Sequence, residues 1–116
     1  MAHVSVQIEW PAGLEELPPD ARAQVTVEDA TLADASSVVI AETVLADLDL
    51  ARPAVADLEV GEVDPAANLV VRVQVTPGSR KALGIERGDL ITTQAHPVLT
   101  RGHGDSVVVP LTRVGS

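Results

Sequence analysis

Three histidines, His3, His96 and His103, are the first residues to weigh for chemistry. His103 lies within Arg101-Gly102-His103-Gly104-Asp105. A carboxylate two residues from an imidazole can orient the ring or share a metal with it. Arg101, His103 and Asp105 therefore form a candidate polar site. The competing reading is a plain turn, because glycines on both sides of His103 supply the freedom a tight reversal needs. No H-x-H, H-E-x-x-H or Asp-rich calcium loop is present, so no metal is expected. The chain has no cysteine, which excludes thiol nucleophiles, disulfides and cysteine-based metal sites. Ser36, Ser37, Ser79 and Ser106 lack a G-x-S-x-G context. The pairs Glu15-Glu16, Glu28-Asp29 and Asp47/Asp49 could exchange protons, but they fit turn and solvent-face charge better. Gly84 and Gly88 are too sparse to cradle a phosphate. No catalytic set emerges, and neither an enzyme nor a cofactor is expected. One cationic cluster stands apart: Arg80, Lys81 and Arg87, in the Gly-bounded stretch 78–88. It is a candidate partner-binding loop for an acidic surface; the alternative is a loop that is merely polar.

The elements around these residues read as strands. Val4, Val6, Ile8 and Trp10 alternate with His3, Ser5, Gln7 and Glu9, the period of a half-buried strand. Pro11 and Gly13 end it. Ala23, Val25 and Val27 alternate with Gln24, Thr26 and Glu28 after the Pro18-Pro19 turn. Val38-Val39-Ile40 opens a β-branched run. Ala41, Val44, Leu45 and Leu48 also have helical spacing, but the preceding run and Pro53 favour a strand over 37–45 and a loop over 46–52. Val55 to Val63 is a further short strand region. Leu69, Val71, Val73 and Val75 mark the clearest strand, 68–76, ended by Pro77-Gly78. Leu90–His96 reads as one strand ended by Pro97. Val107, Val109 and Leu111 belong to the last, where Pro110 removes a ladder donor and predicts an edge or an outward position. The pattern predicts an all-β chain: about seven strands in a mainly antiparallel β-sandwich, transthyretin- or immunoglobulin-like, with no substantial helix.

Length and composition bound the rest. The 116 residues fit one domain, 1–116, with its own core. Phe and Tyr are absent, so Val, Leu, Ile and Ala must fill that core around Trp10 as its only large ring. The net charge is −9, and residues 1–69 hold 14 acidic and 2 basic side chains. Nucleic acid is not expected as a partner, because phosphate neutralisation needs clustered Lys and Arg and single strands need stacking rings. No stretch approaches the ~18–20 apolar residues of a membrane span. The opening Met1-Ala2-His3-Val4 has no basic and apolar leader pattern. The expectation is a cytoplasmic protein as the sequence stands, or a periplasmic or envelope one if an export segment has been removed. The expected partner is a protein. A second copy is one candidate, because the acidic first stretch could meet the basic remainder.

Several segments together resemble one family. Leu17-Pro18-Pro19-Asp20-Ala21, Val25-Thr26-Val27-Glu28-Asp29-Ala30 and Leu32-Ala33-Asp34-Ala35 resemble the opening motif of the YbaY/YscW family. Val39-Ile40-Ala41-Glu42, then Val60 to Asp64-Pro65, then His96-Pro97-Val98-Leu99-Thr100-Arg101-Gly102 with Val107–Val114, resemble its later motifs in the same order. The resemblance covers about residues 4–114. It implies a small β-sandwich that binds rather than catalyses, among bacterial lipoproteins that include type III secretion pilotin-like members. Pilotin-like members chaperone or localise a secretin in the outer membrane. A second resemblance gives the enzyme alternative. The ending Arg113-Val114-Gly115-Ser116 is similar to the terminal tetrapeptide of transthyretin-like hydroxyisourate hydrolases, which would assign His3 and Arg113 to catalysis.

Overall fold

Along the first strand Val4, Val6 and Ile8 are buried while His3, Gln7 and Glu9 are exposed, the alternation that a pleated strand with one covered face requires. A computed structural model describes residues 2–18, 20–31, 36–78 and 86–115. Nine strands lie among them. They are β1 (Ala2–Glu9), β2 (Arg22–Asp29), β3 (Val38–Leu45), β4 (Ala54–Gly61) and β5 (Leu69–Thr76). The shorter β6 (Leu90–Ile91), β7 (His96–Pro97), β8 (Ser106–Pro110) and β9 (Thr112–Arg113) follow. The described residues contain no helix.

The strands form two sheets. The smaller has the order β4-β1-β8. The larger has the order β3-β2-β5-β6-β9, with β7 also on β5. Pairing is antiparallel except between β1 and β8, where Ser5 faces Ser106 and Glu9 faces Pro110 in parallel. That pair joins the two ends of the chain, and the Leu111 N–H donates to the Glu9 carbonyl at 3.0 Å just beyond it. Pro110 sits on the outer strand of its sheet, where a missing donor breaks no ladder.

The core lies between the sheets. Val4, Val6, Ile8, Leu58 and Val109 of the smaller sheet meet Val25, Val27, Leu69, Val71, Val75 and Leu90 of the larger. Branched side chains with few rotamers fill the gap without rings, so their ordering entropy is small. Trp10 does not become a core ring. It is half-buried at the core's margin, and its indole N–H reaches the Arg52 carbonyl at 3.4 Å.

The sandwich agrees with the sequence reading, and β3 is a strand over Val38–Leu45 with irregular chain after it. Leu90–His96 differs. It divides into β6 and β7 for a register reason. From Gln74 to Val71 strand β5 moves three residues, while its partner moves five, from Ile91 to His96. The two surplus residues cannot stay in the ladder, so the regular pairing breaks between Ile91 and His96, with Thr92 still donating its N–H to the Val73 carbonyl at 3.1 Å. The last predicted strand divides too: Leu111 lies between β8 of the smaller sheet and β9 of the larger, so the two divisions raise the strand count from about seven to nine.

Candidate functional site

Arg101, His103 and Asp105 fall in one turn, and the backbone explains their types. Leu99 and Arg101 have φ of 66° and 55°, followed by Gly102 at 85°. Left-handed backbone costs a non-glycine residue about 1–2 kcal/mol, so the turn needs an anchor. Buried Thr100 provides it: its hydroxyl donates to the Ala67 carbonyl at 2.7 Å. Arg101 donates from Nε and Nη2 to the Ala66 carbonyl at 3.1 and 3.0 Å. The His103 N–H donates to the Thr100 carbonyl at 3.0 Å, and the Leu99 N–H to the Gly104 carbonyl at 2.9 Å. His103 and Asp105 are exposed, and no hydrogen bond or ion pair joins their side chains. Asp105 contributes its carbonyl, which accepts from the Ser5 N–H at 2.8 Å and ties the turn to β1. Among the described residues no cluster of three His, Cys, Asp or Glu could hold a metal ion.

Of the cationic stretch, Arg80 and Lys81 lie outside the described residues. Arg87 is exposed in the turn before β6. Its side chain lies over Gly115, where an added Cβ would come within 2.8 Å of Arg87 Cγ. Together with Leu14, Leu17, Asp89 and Arg113, it borders a cleft of about 430 Å³. Asp89 is buried, and its Oδ2 accepts from the Glu86 N–H at 2.9 Å. The Asp89 carbonyl accepts from the Val114 N–H at 2.8 Å, which ties this turn to β9. The tertiary structure thus brings Arg113 beside Arg87. Their 26-residue separation in sequence gave no sign of it.

His3 and Arg113 do not share a site. His3 begins β1, whereas Leu111 lies level with the end of β1 at Glu9, and Arg113 continues past it. At about 3.3 Å per residue that separates them by about 20 Å. His3 instead lies 3.9 Å from exposed Asp57 on β4. The geometry gives the hydrolase alternative no support.

The outer face of the larger sheet carries a polar network. Buried Glu28 accepts from the Thr26 hydroxyl at 2.8 Å and from the Ser37 hydroxyl, and its Oε1 lies 3.3 Å from Arg72 Nε. Glu28 thus has three partners on three segments, which accounts for a buried carboxylate without any catalytic task.

His96 of β7 pairs with Val71 on β5. Burial pushes its imidazole pKa below the ordinary 6.5, because the charged form loses hydration. The unfolded chain therefore takes up this proton first as pH falls. Stability is whole above pH 6.5 and declines below it, toward the lowered folded value. Urea midpoints at pH 7.5 and 5.5 measure this. The His96→Gln chain should lose less stability than the parent between the two, and equal losses would assign the effect to other groups.

Strand β3 is where sequence reasoning missed most. It forms an outer strand of the larger sheet, paired on one side with β2. Val38, Val39, Ile40 and Val44 are 63, 50, 38 and 55% exposed. The unalternating Val38-Val39-Ile40 was the available signal, since consecutive β-branched residues cannot all point into one core.

Comparison with known proteins follows the same lines. A family model described as the type III secretion system lipoprotein chaperone (YscW) matches residues 1–111. No curated protein matches the chain. Among solved structures, an alternative pilotin from the type II secretion system of Vibrio cholerae is similar in fold. Its TM-score is 0.74 at 19% identity, over 98% of this chain and 97% of that one.

Proposed function

Because this chain belongs to the YscW family of type III secretion system lipoprotein chaperones, we propose that it is a non-enzymatic accessory module that binds a protein component of a secretion system. The family match over residues 1–111 carries this reading. The pilotin-like fold and the turn-building roles of Thr100 and Arg101 agree with it. The family resemblance implies a secretin as the partner. A family of lipoproteins favours the cell envelope as the site of action and replaces the expectation of a cytoplasmic protein.

The test is capture of the native organism's secretin from envelope extracts by the tagged chain, alongside deletion of the gene. Retention of the secretin on the chain, and loss of its outer-membrane multimers in the deletion strain, are the expected results. Unchanged multimers together with no capture would remove the reading. The cationic stretch is the proposed contact for an acidic part of the partner. Replacing Arg80, Lys81 and Arg87 with alanine should weaken capture by severalfold, and more at low salt than at high salt, since such contacts are electrostatic.

A further inference from the structure

The two outer strands on one side of the sandwich, β3 and β4, differ in how they are guarded. Strand β4 carries Asp57 and Glu59 along its length. Strand β3 carries one charge, Glu42, among Val38, Val39, Ile40, Val44 and Leu45. An outer strand presents a row of backbone donors and acceptors, and proteins normally protect it with charge, proline or a bulge. One bulge is present. The register steps from Val27 opposite Ala41 to Glu28 opposite Val39, so Ile40 is the extra residue. Ala41–Leu45 stays regular. No other described strand pairs with the far side of β3, and its backbone makes no described hydrogen bond beyond the β2 ladder. The result is an open ladder with exposed valines at both ends.

Charge selects the occupant. Residues 38–61 contain Glu42, Asp47, Asp49, Asp57 and Glu59 against Arg52 alone. Arg52 lies 3.8 Å from Asp49 and is thereby partly neutralised. A second copy docking by the same strand would set two such acidic surfaces together, with both Glu42 side chains on one shared ladder. Like charges there are destabilising. Glu42 therefore opposes self-pairing and favours a cationic strand. We propose that β3 is a strand-addition site for an extended segment of a partner protein that alternates branched apolar residues with Lys or Arg. Main-chain hydrogen bonds would supply the attachment, and Glu42 with the exposed valines the selection. The inference rests on the reading of the chain as a partner-binding module and names the surface and the segment chemistry.

The test uses the full chain and three capped decapeptides: alternating valine and lysine, the same with glutamate for lysine, and the lysine peptide N-methylated at every amide. Titration is followed by backbone amide NMR and hydrogen exchange. The lysine peptide should shift and protect amides within 38–45. N-methylation should weaken it at least tenfold, because the peptide then has no backbone N–H left on either edge to donate to the β3 carbonyls. Glu42→Lys should reverse the preference between the lysine and glutamate peptides. Equal binding of the N-methylated peptide, shifts centred outside 38–45, no binding, or protection of 38–45 that rises with protein concentration alone would each overturn the proposal. In the capture experiment, the Val39→Lys/Val44→Lys chain should lose the secretin. If it retains the secretin, the β3 site is overturned while the accessory function stands. If the parent chain captures nothing, the accessory function fails and the peptide titration decides β3 by itself.

Discussion

Replacing Leu90 with alanine should lower stability by about 2–5 kcal/mol. Leu90 is fully buried and links three strands: it pairs with Val75 of β5 on one side and with Arg113 of β9 on the other. It also borders the 430 Å³ cleft beside Leu14 and Leu17. Truncation removes contacts from a core of small side chains, with no large ring nearby to swing into the space. The cost is therefore that of lost transfer plus an unfilled cavity. At about 4 °C per kcal/mol, the Tm should fall by about 8–20 °C. Trp10 is the chain's only tryptophan and touches the core margin, so its fluorescence follows the transition. A change within 2 °C would mean that the loops around the cleft collapse onto the site. A native stability of about 5–15 kcal/mol makes the larger loss severe.

Thr100→Val should cost about 1–3 kcal/mol, although the two side chains are nearly the same shape. The difference is the hydroxyl. Thr100 Oγ1 donates at 2.7 Å to the Ala67 carbonyl in the neighbouring turn. Valine leaves that carbonyl facing an apolar group, and the left-handed backbone at Leu99 and Arg101 loses its buried anchor. Arg101 still reaches the Ala66 carbonyl, so the turn should loosen rather than unfold separately. Chemical denaturation measures the loss of stability. Hydrogen exchange at the Leu99 and His103 amides should quicken by more than the global loss explains. Exchange that tracks global stability alone would show that the turn is held by its neighbours instead. Thr100-Arg101-Gly102 is part of the resemblance read from the sequence, and the structure gives those three types a mechanical reason: an anchor, a clamp and a left-handed corner.

How far the sequence reached depended on whether a residue's neighbours were close along the chain. Val4, Val6 and Ile8, or Leu69, Val71, Val73 and Val75, announce a buried strand face locally, because side chains in a strand alternate at a period of two. Proline and glycine marked where those strands stop. The sandwich class, β3 as a strand over Val38–Leu45 and the edge position of Pro110 were all legible from such local rules. The ordered motifs, from Leu17-Pro18-Pro19-Asp20-Ala21 to Thr100-Arg101-Gly102, carried the family. The division of Leu90–His96 was not legible. It arises from a register mismatch against β5, and a strand contains no record of its partner's spacing.

The candidate sites divide in the same way. Arg101, His103 and Asp105 were found as neighbours in sequence, but the role of their turn depends on residues far along the chain: only folding brings Ala66 and Ala67 against Arg101 and Thr100. Composition by itself determined that this is a cysteine-free, acidic, ring-poor chain. Tertiary structure alone decided which strands are outermost. Hydrophobic patterning reports which face of a strand is covered, whereas edge position depends on the order of strands in the sheet. That order left Val38, Val39, Ile40 and Val44 open on β3, set Arg113 beside Arg87, and parted His3 from Arg113.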